Sequence, residues 1–580
     1  MAEMILPGVY IEERAEALIV PGRVTVGTLG VVGTASKGPI GEPKLLGSYT
    51  EAREVFGDYD PWVDGTSAEL TLVRALQLAF AAGATRAFAV RVSSMTADIP
   101  PEPNAMAATF TLAGELAGET VAVLTAEETG TWGNSIGVNV WDAEDDAFLQ
   151  EKTVADGVAL IKLKRASFDA VNVRSRVKIK VAATSQTKLL TPMPADPPNA
   201  AVTTGKFRIN TAAGHEGELM FHDDDKPKAG DIVVVSYVVP KAHSRKVTLR
   251  YGNQTKVYTI ADGNHLVELL ANPDAPPALA GGSAGTNPDK LPQKNAKPDE
   301  FLVFGQPPDA SGSDGADAIQ GDYAAGLAKL LTERAHIIVA AGQSDDTFWD
   351  DLANHCDIAS TDLWQKDRIA VVGSRVKATF DQVRGHDVNS DRVIFVAPGI
   401  KATDAASRRT VTLPGAYTAA VVAGMLSARA AHISLTNKPV QVDELETKFT
   451  TPQLEELVNS RVLAVEERRG LGIRIVQGLT TDPGAFRQIT TRRIVDYAKY
   501  GVRSAAEPYI GLLNNERVRG ALRATVNSFL AEMVDDEMLI KYTLEVTATR
   551  DEERKGICRV TMTLQPTFSI DYIKVTMFLE

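Results

Sequence analysis

Three short runs dominated by β-branched and other apolar residues, His336–Ala341, Arg368–Val372 and Arg392–Ala397, constrain the fold most strongly. They are continuous instead of alternating, which predicts strands buried on both faces. Helical stretches alternate with them at Tyr323–Arg334, Thr347–Ser360, Val376–Val383 and Gly415–Ala431. That alternation implies a parallel sheet with helices on both sides.

The same texture occurs earlier. Strand-like Val24–Val32 and Arg86–Val92 bracket helical Thr50–Phe56 and Ser67–Ala82, a small α/β unit. Between them and residue 322 the chain changes character. Glu119–Thr125, Ile136–Trp141, Val158–Lys164, Val171–Val181, Asp231–Val239, Lys246–Tyr251 and Thr255–Ile260 are short strand signals separated by Asp, Gly and Pro. They predict one or two β-sandwich or barrel modules, and Asn272–Pro298 reads as a Pro/Gly linker. From about Gln441 follow an amphipathic helix (Leu454–Arg468), a strand (Ile473–Val476), two helices and three closing strands. The resulting division is an N-terminal arm (1–22), an α/β part (23–96), an all-β surface insertion (97–312), an α/β core (313–440), an α+β domain (441–565) and a terminal strand (566–580). The expected fold class is therefore multidomain α/β and α+β: a central parallel-sheet core, an all-β insertion and extended terminal β-arms.

At 580 residues the chain exceeds what one core supports, in keeping with several domains. Its 61 Lys and Arg against 74 Asp and Glu give a net charge of −13, which argues against a surface that coats nucleic acid. Cys356 and Cys558 have no CxxC partners and read as buried reduced thiols. No secretory leader is expected from Met1-Ala2-Glu3, and no membrane insertion either. The most apolar stretch, Ala416–Ala431, contains Thr418, Ser427 and Arg429 and reads as a buried helix.

Searches for catalytic, metal and cofactor motifs give no candidate. Gly33-Thr-Ala-Ser-Lys-Gly38 has the glycine spacing of a phosphate loop, but Pro39-Ile40 stands where Lys-Ser/Thr is required. Gly342-Gln-Ser344-Asp-Asp346 lacks the small residue that a nucleophile elbow needs, and its acids suit a helix start. His215 and His222 match no zinc spacing. Asp309–Gly315 begins like a calcium loop without its bidentate acid. Arg174, Arg176, Lys178 and Lys180 make one strand face basic, which fits either a solvated edge strand or contact with an anionic surface.

Two features point to protein partners. Between Arg487 and Arg523 eight basic residues face three acidic ones, and Arg519 and Arg523 lie one turn apart, off the apolar stripe of their helix. At the chain ends, Ile5, Val9, Tyr10 and Ile11 have no neighbouring strand of their own. Phe568, Ile570 and Tyr572 take one phase of the final strand, and Ile573, Val575 and Met577 take the other. Such ends call for a covering strand from elsewhere.

Leu6-Pro-Gly-Val-Tyr-Ile-Glu-Glu13 resembles the opening of contractile tail sheath proteins, as does Val31-Val-Gly-Thr-Ala-Ser-Lys-Gly-Pro-Ile-Gly-Glu-Pro43 with the following Ser48–Gly57. Gly130-Thr-Trp-Gly-Asn134, Gly312-Ser-Asp-Gly315, Arg492-Arg493 with Asp496, and Pro566-Thr-Phe-Ser-Ile-Asp-Tyr-Ile-Lys574 are similar to further landmarks of that family; near Ala416–Asn437 the pattern is closer to Mu-like tails. The resemblance implies a structural subunit, not an enzyme, without cofactor. It would form hexameric rings stacked into a helical sheath around a tail tube, with baseplate and tail terminator as further partners. Contraction would drive the tube through a host envelope for genome delivery, and the subunit would belong to a virion tail assembled in the host cytoplasm. The terminal segments would be inter-subunit linkers, and Arg492, Arg493, Arg519 and Arg523 would face the tube. A non-viral injection particle would use a similar chain. An α/β enzyme is the alternative of a different class, and it requires polar groups converging beyond the strand ends near Gly342, Gly373 and Gly399.

Overall fold

Strands Lys44–Leu46, Ala87–Val92, Leu29–Thr34, Ile337–Ala340, Ile369–Gly373, Val393–Ala397, Leu463–Arg468 and Gly472–Ile475, in that order, make one eight-stranded sheet. The computed structural model describes residues 26–59, 70–96, 102–156, 160–165, 167–193, 201–272, 279–404 and 407–578. Two compact units emerge, one from Met1–Asn104 with Gly315–Glu580 and the other from Ala105–Asp314.

The sheet belongs to the first unit. Its six inner strands run parallel and its two edge strands antiparallel. The continuous apolar runs are inner strands buried along their length, as their lack of alternation requires. One face packs on helices Leu72–Ala81 and Gly415–Ser427, the other on Gln320–Leu330, Asp346–Ala359 and Thr451–Asn459. All thirteen residues of Gly415–Ser427 are buried, as read from its composition. Small residues bring it to backbone contact on two sides. A Cβ on Gly424 would lie 2.2 Å from the Ala79 carbonyl oxygen, and one on Gly373 would lie 2.0 Å from the Gly415 carbonyl.

The helix expected over Leu454–Arg468 is in fact a helix, Thr451–Asn459, followed by the strand Leu463–Arg468. Ser460 caps the helix and Arg461 turns the chain at φ 67°. The β-branched sequence beyond it then pairs in parallel with Val393–Ala397. The sheet thus takes strands from beyond residue 440, so the break expected there does not divide it.

The second unit has two cores. Two small sheets and the helix Gly263–Leu270 enclose Trp132, Val247, Leu249 and Phe304. A six-stranded sheet, ordered Leu219–Phe221, Lys206–Ile209, Thr187–Pro192, Arg176–Lys180, Ile232–Val239 and Ala147–Val154, encloses Phe207, Val233 and Tyr237. Three expectations are corrected here. The stretch read as a linker contributes strand Ala280–Ala284, paired with Thr120–Ala126, and the Asn295 amide donates to the Val138 and Glu300 carbonyls. Described residues 160–165 form no strand beyond a single bridge from Lys162 to Glu218. Arg176–Lys180 is an inner strand, not an edge, and Arg174 precedes it, paired with Asp146. The unit's chain ends run side by side, since Met106 and Ser313 exchange both backbone N–H···O bonds at 3.0 Å.

Candidate assembly surface

Asn515 accepts the Val518 amide at 2.9 Å and starts the helix Glu516–Asp535. Its apolar stripe, Leu522, Val526, Phe529, Leu530 and Met533, is buried. Beneath it, helix Ile489–Ala506 brings Gly501 against the Phe529 ring, where a Cβ would lie only 1.8 Å from ring carbon Cζ. Over the other side lies an antiparallel hairpin, Leu539–Thr547 with Arg559–Pro566. Tyr542, Leu544, Val546, Cys558, Val560 and Leu564, at alternate positions along the two strands, pack half-buried against this core. Lys541, Thr543, Glu545, Thr561 and Thr563 are exposed. Among the described residues no third strand pairs with either hairpin edge.

The tail Thr567–Phe578, expected as the last of three closing strands, follows directly and forms neither helix nor strand, because no strand among the described residues lies beside it to pair. Phe568, Ile570, Tyr572, Ile573, Val575 and Met577 are 59–85% exposed, an apolar run that the described residues leave uncovered. Asp571 anchors it, accepting from Gln477 Nε2 at 2.8 Å, Gln488 Nε2 at 2.9 Å and Thr436 Oγ1 at 3.1 Å. The readings at Ile5, Val9, Tyr10 and Ile11 lie outside the described residues.

Two of the four arginines expected on a partner-facing surface are interior. Arg492 and Arg493 are each 5% exposed. Arg492 bonds Asp391 and Asp496, both at 2.7 Å. Arg493 donates to the carbonyls of Val26, Arg429 and Ala430. Arg519 is mostly covered, paired with Glu553 at 3.0 Å, while Arg523 is exposed.

Arg492 is one member of a buried charge lattice at the amino ends of the inner strands. Asp367, with its carboxylate fully buried, accepts from Arg392 at 3.1 Å, from Arg503 at 2.5 Å and from Lys499. Arg392 also bonds Asp496 at 3.1 Å. The Lys499 and Arg503 contacts hold the Asp367 carboxyl below its usual range against the opposing effect of burial. The lattice ties helix Ile489–Ala506 to the sheet by ionic hydrogen bonds. Sequence reasoning missed it, although the Asp-Arg pairs at 367–368 and 391–392 and the i,i+4 spacing of Arg492 and Asp496 are its visible traces.

At the opposite, carboxyl ends of the strands, described residues pack closely beyond Leu29–Thr34 and Ile337–Ala340. The Thr71 amide donates to Thr34 Oγ1 at 3.1 Å, the two hydroxyls lie 3.3 Å apart, and Tyr323 bonds both Thr71 and Gln343. Gly342 packs under Thr71 and Tyr417, where a Cβ would lie 2.7 Å from a Thr71 side-chain carbon. A cavity of about 310 Å³ opens beside Trp349, Ser374, Arg375 and His386. Beside it Arg375 pairs with Asp345 at 2.8 Å, and His386 bonds the Ser460 carbonyl at 2.7 Å. His215 pairs with Glu218 and His222 with Asp224. Among the described residues no group of three or more His, Cys, Asp or Glu is placed to hold a metal ion.

Comparison with known proteins adds the following. The central domain of phage tail sheath proteins matches residues 316–481, and their C-terminal domain matches residues 481–580. The tail sheath protein of Bacillus phage SP01 is 28% identical over 164 residues, 27% of this chain and 28% of that protein. The match thus spans under a third of the relative's length. The sheath tail protein from Desulfitobacterium hafniense shares the fold at 13% identity and a TM-score of 0.55, over 97% of this chain and 100% of that one. That from Listeria innocua does so at 13% identity and 0.55, over 96% and 95%.

Proposed function

We propose that this chain is a contractile tail sheath protein, the subunit of a sheath that polymerises around a tail tube and contracts, because residues 316–580 match the central and C-terminal domains of phage tail sheath proteins. The observation that carries the proposal is local: an exposed apolar tail of strand length adjoins a hairpin that, among the described residues, is open on both edges. A tail from one subunit can add to the hairpin of the next, giving each backbone group a partner and covering the apolar side chains. Such a contact is heterologous, so it propagates into rings and helices instead of closing a dimer. Stacked hexameric rings are the assembly it would build, with tube, baseplate and terminator proteins as the other contacts. The role in this reading is structural, as the tail sheath matches imply. A virion tail assembled in a host cytoplasm is the setting of this reading; a non-viral injection particle would use the same subunit, and neighbouring capsid and terminase genes would mark the phage case.

Arg523, with Arg519 beside it, is the tube-facing candidate that survives the burial of Arg492 and Arg493. Arg523→Glu is expected to weaken co-sedimentation with the tube, most at low salt where screening is least. Unchanged co-sedimentation at 50 mM salt would remove the residue from the contact. The whole proposal is tested by negative-stain microscopy of the purified chain beside a truncation lacking residues 567–580. Full-length tubes or stacked rings and a folded, non-polymerising truncation are expected. Polymers from both would refute the tail's role.

A further inference from the structure

Helix Ile489–Ala506 meets the eight-stranded sheet through a polar seam. Of its buried apolar side chains, Ile489 joins the core of the sheet. Ile494, Ala498 and Ala505 pack instead with helix Glu516–Asp535 and the hairpin, in a separate core. What else crosses to the sheet is charge and hydrogen bonding. Arg492, Arg493, Asp496, Lys499 and Arg503 bond across the seam, and the Tyr500 hydroxyl donates to the Asp367 carbonyl at 3.0 Å. A joint held this way depends on the protonation of its members, and an apolar joint does not.

His336 stands on the sheet side of this seam, its ring 5.5 Å from the Tyr500 ring and edge-on to it at 73°. Its Nδ1 accepts the Thr28 amide at 3.3 Å. A backbone amide only donates, so Nδ1 carries no proton here, and an imidazolium would set two N–H groups against each other. The charged groups around the ring give a further cation no relief. Arg334 lies two residues before it, Arg368 beside it at the start of the neighbouring strand, and Arg493 comes from the helix, while Val26–Thr28 carries no charge. Asp367 and Asp496 line the same small cavity as His336, and both are taken. Asp367 holds Arg392, Lys499 and Arg503, and Asp496 holds Arg392 and Arg492. Burial, then Arg368, Arg493 and Arg334, lower the His336 pKa to about 4. The cavity, of about 20 Å³, is wide enough to admit a single water. We propose that His336 is an acid switch in this seam: protonation breaks its bond to Thr28, sets a second cation against Arg493 and releases helix Ile489–Ala506 while the sheet stays folded. This goes beyond the sheath reading and stands whatever the chain assembles into, because the seam lies within one subunit.

Once released, the imidazole titrates near 6.5, so the seam is fully held above that pH and weakens as pH falls towards 4. The test is hydrogen exchange of the full-length chain read by mass spectrometry, with rates corrected for the intrinsic effect of pH. Undocked, the helix keeps one packed face, so its amides report the opening. Their protection should fall roughly 30-fold between pH 7.5 and 5.0. The fall should vanish in His336→Gln, whose amide oxygen can still accept from Thr28, and persist in His355→Gln. His355 lies on helix Asp346–Ala359 with its Nε2 on Arg368 at 2.9 Å, so its protonation follows unfolding of the sheet instead of release of the other helix. Unchanged protection in the wild type, or an equal response to the two substitutions, would each overturn the proposal. Should circular dichroism show His336→Gln unfolded at pH 7.5, His355→Gln decides alone: a persistent fall supports the switch and its loss overturns it.

Discussion

At the scale of residues, the first unit is organised by charges taken out of water. Asp367 is the anion on which Arg392, Lys499 and Arg503 converge, so removing its charge leaves Arg392 with Asp496 alone and takes from Lys499 and Arg503 the acid they share. Asp367→Asn is expected to lower unfolding stability by about 3–5 kcal/mol, read from urea denaturation. Two histidines add a pH dependence. His336 is held neutral by burial, then by Arg368, Arg493 and Arg334, its pKa lowered to about 4. His355 is likewise lowered to about 3 by burial and Arg368. Unfolded histidine titrates near 6.5. Below that pH the unfolded chain therefore binds protons that the folded chain refuses, so the contribution is complete above 6.5 and is lost as pH falls towards 4. Thermal melts from pH 7 to 4.5 should show a steady fall, shallower in His336→Gln/His355→Gln; equal slopes would contradict the assignment. Arg492 and Arg493 show what one sequence hides at this scale. A cation on an amphipathic helix reads as solvent-facing, and its interior partners, Asp391 and backbone carbonyls near residue 430, lie 60 to 100 positions away.

At the scale of elements, legibility followed periodicity. The continuous runs from residue 336 to 397 and the alternating hairpin both state their burial directly, and both form as read. Elements whose type depends on distant pairing were not legible: Leu463–Arg468 is a strand because Val393–Ala397 lies beside it, and Ala280–Ala284 because Thr120–Ala126 does. The tail is an element without a partner, and Asp571 is its anchor to the body. Asp571→Ala should leave stability nearly unchanged while speeding chymotryptic cleavage after Phe568 or Tyr572 several-fold. Cleavage at the wild-type rate would mean that other contacts hold the tail.

At the scale of the molecule, one unit is α/β and the other, expected as all-β, is β-rich with the helix Gly263–Leu270, and the chain ends of that second unit are bridged side by side at Met106 and Ser313. Residues 105–314 should therefore be replaceable by a short Gly/Ser linker. The shortened chain is expected to fold and still form tubes in the microscope, and folded protein that never forms them would show that the insertion is part of the polymer contact. The central claim is that subunits are joined by their tails. A cryo-electron microscopy structure of the assembled polymer tests it most directly. It should show residues 568–578 as a strand paired to the Leu539–Thr547 or Arg559–Pro566 edge of a neighbouring subunit. A tail folded onto its own hairpin, with subunits joined only through their globular faces, would contradict it.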